Sequence, residues 1–285
     1  MQIGVIVISL AEDRMFYQQY KCEILTSNQI NKSLINNFKA DDIGSSLEEY
    51  LKVDAWREDS DGETKVYLIK DIDNEVAFYF SLKCGLLYEP YDYFGLASDE
   101  LDFVNMLIDA LKIKDQEAIN SYYESGYYDA EKTDKLYKIA QERIEVKNEG
   151  IELGDDESAL KVHKCYSAIE LRHFCKNVNY QTEKKKVPLG VGLFWEIIVP
   201  QICKITDLVG CKYLYLFAAD KTPTKESQQK TRKLVQYYKN DLKFEDIQGL
   251  TVIKPTYDRS CWGMIQKISD LKKNQEVIWE EFSDV

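Results

Sequence analysis

The sequence predicts an α+β fold: a central mixed β-sheet flanked by helices, with an acidic helical insertion. Three observations lead there. Residues 64–69 and 75–82 alternate as strands do, and Asp71–Asn74 between them has the composition of a hairpin turn. From residue 160 to Phe244, strand-like and helix-like runs take turns, the order of a sheet with helices packed on it. Residues 89–160 show helical spacing and hold 19 acidic against 7 basic side chains, so they account for the whole net charge of −12.

Taken in order, residues 3–10 read as an opening strand, too short and too lacking in basic residues for a signal peptide. A polar, asparagine-rich region follows to about residue 43. Residues 45–55 read as a helix capped by Ser45, with Glu48 three residues on to complete a capping box. Asp59-Ser-Asp-Gly62 makes a turn, and the hairpin follows. After Gly85 the pattern changes to helices at 98–113, 116–124 and 129–151, with tyrosines at 122, 123, 127, 128 and 137. Residues 154–158 form the loop that closes this insertion. The remainder is a single domain spanning 1–285, with strands at 168–174, 213–217, 250–253 and near 261–265. The apolar helix beginning near Gly192 contains Pro200, which should kink it or mark a break.

Composition narrows the function class. Apolar content of 45% with 30% charged residues is that of a soluble globular protein, and 31 Tyr and Phe residues suffice for a sizeable core. No apolar run approaches the roughly 18–20 residues that a membrane span needs. Seven cysteines, odd in number and without a CxxC pair, argue against zinc and against a disulfide framework, and for a reducing cytoplasm. No metal is expected. Residues 161–243 hold 16 basic and 7 acidic side chains, so a segment of +9 adjoins the acidic one.

The chemistry concentrates in that basic segment. An apolar strand (Ala168-Ile-Glu-Leu-Arg-His-Phe174) leads to Lys184-Lys185-Lys186 and then to Gly190-Val-Gly192. Glycines let backbone N–H groups approach a ligand, and a helix N-terminus favours an anion. A tight turn between strand and helix would also use these glycines. A second buried strand and a helix carrying Tyr237-Tyr238 follow.

In this order the chain resembles the GNAT N-acetyltransferase superfamily, near its toxin-like branch. The matching pieces are the strand 168–175, the loop Gly190-Val-Gly192, the helix 193–208, the strand 213–218, and Leu234–Phe244 with its aromatic-Tyr pair and closing Phe. Residues 46–87 resemble the helix and hairpin of the family's first half. Three positions depart from the pattern. Val187 stands where Gln or Arg is usual, Lys243 stands where a glycine precedes the closing Phe, and residues 89–160 have no counterpart in the minimal family.

The resemblance implies transfer of an acetyl group from acetyl-CoA to a primary amine by direct attack in a ternary complex. It implies a cofactor site of Phe174, Cys175, Lys184, Lys185, Lys186, Val187, Leu189, Gly190, Val191 and Gly192. Lys221, Lys225 and Lys230 are alternative phosphate contacts. Tyr238 matches the family's proton-donating tyrosine, with Tyr237 as the other choice. Glu170 is the candidate base, and His173 could serve instead. His163 has no assigned role. An acyl-CoA-binding regulatory protein and a toxin-like aminoacyl-tRNA acetyltransferase are the alternative functions. The acidic insert would attract a cationic acceptor or a basic protein partner, or self-associate, and would repel tRNA if it bordered the cleft. No RNA-binding motif accompanies the tRNA reading.

Overall fold

The computed structural model describes residues 12–42, 44–90, 96–149, 162–219, 227–252 and 261–283. The expected strand at 3–10 and loop at 154–158 lie outside the described residues. The chain divides into two compact units, one of residues 1–86, 166–247 and 252–285, the other of 87–165 and 248–251.

The first unit is built on a mixed sheet of seven strands, β1 (Lys21–Ile24), β2 (Lys65–Lys70), β3 (Val76–Pro90), β4 (Val162–Lys176), β5 (Tyr213–Ala218), β6 (Glu245–Asp246) and β7 (Trp262–Lys267). Their spatial order is β1-β2-β3-β4-β5-β7-β6. β1, β2 and β3 pair antiparallel, as do β5, β7 and β6, whereas β4 and β5 are parallel. The β2–β3 turn places Asn74 at φ +65°, the left-handed region that asparagine tolerates.

Both faces of this sheet are covered. Val66 and Leu68 of β2 join one core with Leu25, Ile35, Phe38, Tyr50 and Leu51, while Tyr67 and Ile69 point into the other. Burial on both faces explains why Val66-Tyr-Leu-Ile69 is apolar without interruption. The first of these cores is capped by two helices, α2 (Ser45–Val53) and α3 (Ala55–Asp61), which follow α1 (residues 12–18) in the chain. The larger core lies between the sheet and the long helix α7 (Leu189–Leu208), whose Phe194, Trp195, Ile198 and Ile202 are fully buried.

Several expectations need correction. Ser45 does not cap its helix; the N-cap is Gly44, without a side-chain bond. Glu48 instead accepts from the Ala40 backbone N–H at 2.9 Å and from Lys52 Nζ at 2.8 Å. Asp59–Asp61 continue a helix that Gly62 ends at φ +76°. β3 runs past Gly85 to Pro90. α7 by length and composition is apolar enough to cross a membrane, contrary to the run-length expectation, and its apolar side chains form the core just described. Pro200 is accommodated by a π-helical stretch, Phe194–Ile198, that ends one residue short of it. The wider turn suits a residue that lacks an N–H and whose ring crowds the preceding turn. The stretch before residue 43, for which the sequence offers only a polar, asparagine-rich character, holds α1 and β1.

In the second unit, α4 (Ser98–Lys112), α5 (Gln116–Glu124) and α6 (Ala130–Glu149) pack around Phe103, Val104, Leu107, Leu136 and Ala140. Asp115 caps α5 by accepting from the Ala118 N–H at 3.0 Å. Thr251 bridges to Tyr88 here, where a strand at 250–253 was expected; Ile253 is outside the described residues.

α8 (Ser227–Asn240) and α9 (Leu271–Ser283) complete the first unit. α8 is closed by the Phe244 N–H donating to the Tyr238 carbonyl at 2.9 Å. Lys243 adopts φ +57° in that turn, the conformation a glycine would take most easily, and its ammonium pairs with Glu281 at 2.8 Å.

Candidate functional site

β4 and β5 start as neighbours and do not stay so. Among the described residues their pairing covers Ala168–Glu170 against Tyr213–Tyr215 only. β4 continues to Lys176 beside β3, where the Asn177 N–H reaches the Ala77 carbonyl at 2.9 Å. β5 continues to Ala218 beside β7. The sheet therefore forks after Glu170 and Tyr215.

A break in side-chain alternation sits at the fork. Ile169 and Leu171 belong to the α7-side core, and Arg172 reaches across the opposite face to Glu58 and Thr64 at 3.5 and 3.3 Å. His173 is also on that opposite face. Its Nδ1 lies 2.8 Å from the Ser81 hydroxyl, and its ring centroid is 3.9 Å from that of Tyr50, the two planes tilted by 35°. Phe174 then returns to the α7 side and Cys175 to the other. Two successive residues on one face are what a bulge produces, and bulges bend a strand away from its neighbour.

The first turn of α7 meets the departing end of β4. A Cβ on Gly190 would lie 3.0 Å from the Tyr237 hydroxyl, 3.3 Å from Phe78 and 3.8 Å from Phe174. Gly190 thus brings α7, β4 and α8 together. The N–H groups of Leu189, Gly190 and Val191 belong to the helix's first turn, where an α-helix offers donors without intrahelical partners. Gly192 is different. Its N–H donates to the Pro188 carbonyl at 3.0 Å, and its missing side chain makes room for the Tyr17 ring, 2.5 Å from where a Cβ would be.

The two tyrosines of α8 differ as well. Tyr238 is buried against Phe244 in the main core, while Tyr237 is half-buried with its hydroxyl at Gly190. Burial raises the pKa of both, so both hold their protons at neutral pH. Cys175 is buried, and burial pushes its thiol up to about 12, with Asp41 and Glu48 adding to the effect.

The lysine turn is already engaged with α1. The Lys186 N–H donates to Asp13 at 3.2 Å, and Tyr17 donates to the buried Val187 carbonyl at 2.5 Å. Lys185 pairs with Glu183 at 3.0 Å and lies 4.8 Å over the Phe16 ring. Lys184 is exposed. Lys221 and Lys225 lie outside the described residues. Sequence reasoning missed Asp13, Phe16 and Tyr17; the aromatic spacing 16, 17, 20 was the helical signal for them.

Glu170 is half-buried on the face opposite α7. Burial raises its pKa, while the charges of Arg172 and Lys83 and a hydrogen bond from Tyr215 pull it back. Tyr215 was not singled out from the sequence. A separate open cleft of about 490 Å³, next to Lys70, Asn74, Asn177 and Tyr180, includes none of the sequence-predicted site residues. Among the described residues no group of three His, Cys, Asp or Glu side chains could hold a metal ion.

No protein-family description and no curated protein matches this chain. Solved structures do resemble it. A bacterial toxin matches with a TM-score of 0.46 at 8% identity, over 90% of this chain and 95% of that one. AtaTR bound with acetyl-CoA matches at 0.44 and 10% identity, over 90% and 98%. AtaT complexed with acetyl-methionyl-tRNAfMet matches at 0.42 and 10%, again over 90% and 98%. At this distance any activity has to be argued from the residues of this chain.

Proposed function

We propose that this chain is an acetyl-CoA-dependent N-acyltransferase acting on a primary amine in the cytoplasm. The observation that carries the reading is the fork: parallel β4 and β5 pair as far as Glu170 and Tyr215, then diverge beside the first turn of α7. A strand leaving its neighbour frees backbone groups that suit the amides of a pantetheine arm. Helix donors at Leu189–Val191 suit its pyrophosphate. Phe174 and Gly190 border the same place.

The proton chemistry then divides between the two faces. An ammonium has no lone pair for attack, so Glu170 takes one proton from the bound acceptor. The amine nitrogen forms a bond to the thioester carbonyl carbon, and the carbon–sulfur bond breaks as the tetrahedral adduct collapses. The departing sulfur takes a proton from a tyrosine hydroxyl. Tyr237 places its hydroxyl at Gly190 on the α7 side, so we assign it that role over Tyr238, which packs in the core. The tyrosine is restored as the amide nitrogen loses its remaining excess proton.

The rival reading, an acyl-CoA-binding protein without turnover, draws on one observation: the lysine turn is already engaged, the Lys185 ammonium by Glu183 and the Lys186 backbone N–H by Asp13. Calorimetric titration with acetyl-CoA tests both. Saturable binding, lost in Gly190→Glu with circular dichroism unchanged, is expected. Absence of binding by the folded wild type removes both readings. Tyr237→Phe is expected to bind acetyl-CoA normally but release its thiol at least tenfold more slowly with an amine present, the scale of general acid catalysis being about 10²–10⁴. If instead Tyr238→Phe alone shows that loss, the proton donor is Tyr238.

A further inference from the structure

We propose that Tyr215 is a positioning residue: its hydroxyl holds the Glu170 carboxylate at the last paired rung before the strands diverge, in space that Gly85 leaves open. This deepens the acyltransferase reading and rests on Glu170 acting there as base.

Three adjacent strands contribute one element each. Glu170 of β4 and Tyr215 of β5 are directly opposite one another, the final pair of the parallel ladder. Tyr215 hydrogen-bonds the Glu170 carboxylate. Gly85 of β3 supplies the room. A Cβ there would lie 2.1 Å from the Tyr215 oxygen and 2.5–2.7 Å from its ring, closer than real Cβ contacts come. Any side chain at 85 would therefore displace the tyrosine. β3 runs straight through this position, so the glycine is not needed for a turn, and no positive φ requires it. Its use is the space it leaves for Tyr215.

The arrangement solves a specific problem. A base on a half-buried strand must stay ionised to accept a proton, yet burial favours the neutral acid. Three groups act against burial at Glu170: Arg172 on its own strand, Lys83 on β3, and Tyr215 on β5. Arg172 is itself held by Glu58 and Thr64, which keeps its guanidinium from closing directly on the carboxylate. Of the three, Tyr215 donates a directed hydrogen bond, so it also fixes where the carboxylate points.

The test uses the full-length protein with its glutamate carboxyl carbons labelled with carbon-13, and Glu170 is assigned by comparison with Glu170→Gln. In Tyr215→Phe the ionisation midpoint of Glu170 is expected to move to higher pH. Gly85→Ala should move it in the same direction, with the tyrosine hydroxyl still in the protein but displaced. The acid limb of acetyl transfer from acetyl-CoA to spermidine should move with it, giving roughly a three- to tenfold loss at acid pH that is recovered at alkaline pH. Acetyl-CoA affinity should not change. An unmoved midpoint in folded Tyr215→Phe overturns the inference, whatever the protein's activity. A moved midpoint with an unmoved acid limb overturns Glu170 as the base, and the catalytic role of Tyr215 falls with it. Failure of the wild type to bind acetyl-CoA overturns the acyltransferase reading by itself, while the carboxylate titration still decides whether Tyr215 governs Glu170.

Discussion

The two faces of the sheet at β4 are built from opposite materials. Toward α7 lie Ile169, Leu171 and Phe174, packed on Phe194, Trp195 and Ile198. Toward α2 and α3 lie Arg172 and His173, bonded to Glu58, Thr64 and Ser81. The first face supplies cohesion and is tolerant of chemistry only at its rim, where Tyr237 meets Gly190. The second keeps ionisable groups partly buried by pairing them. A fork between the strands opens to both, so a thioester lying in it would have a proton donor on one side and a proton acceptor on the other. The difference teaches why the bulge at Arg172–His173 matters: without it, His173 would point into the apolar core.

Breaking the apolar face should have the largest effect. Trp195 is fully buried, and its indole N–H donates to the Asp241 carbonyl at 2.9 Å. Trp195→Ala is expected to cost about 3–5 kcal/mol, read from urea denaturation, because the cavity cannot collapse between sheet and helix. A loss below about 1 kcal/mol would mean that α7 is not held by this packing.

The next effect separates the two glycines. Gly192→Ala drives a methyl into the Tyr17 ring, 2.5 Å away, and should destabilise by about 1–3 kcal/mol, because the ring is itself buried. Gly190→Ala meets its closest neighbour at 3.0 Å, the far end of the half-buried Tyr237 side chain, and should cost less. Its signature should instead be weaker acetyl-CoA binding. Equal losses of stability would show that the two positions play one role rather than two.

These sites were unequally legible in the sequence. The order strand, glycine turn, apolar helix, strand, tyrosine helix is local information, and each piece declares itself over a few residues. The sheet's mixed character was readable for the same reason. Tyr215 and Gly85 were not, because their contact joins positions 130 residues apart and neither is unusual where it stands. Gly85 in particular read as the point where the pattern changes, beyond a strand ending at 82, since glycine is disfavoured inside a strand. The same holds for α1. Asp13 and Tyr17 act on a turn 173 and 170 residues away. Glu48 shows a third kind of miss. Its spacing from Ser45 fits a capping box, but a stronger set of partners, Ala40 and Lys52, took the carboxylate elsewhere. Spacing proposes a bond, and competition among donors decides which one forms.

That competition gives the smallest effect. The hydrogen bonds from Lys52 and the Ala40 N–H hold the Glu48 carboxyl well below its ordinary 4.5, at about 2. A group depressed on folding contributes stability above its unfolded value and loses it as pH falls through the folded one. The contribution of Glu48 should therefore be complete above about pH 4.5 and fade toward pH 2. In Glu48→Gln the melting temperature should fall slightly at neutral pH, and the difference from wild type should shrink across that acid window. The partly exposed Lys52 makes the effect modest, because water screens the pair. A difference that stays constant from pH 7 to pH 2 would mean that the side chain stabilises α2 by packing rather than by charge, and the polar face would then have one less charge-dependent contact than its geometry suggests.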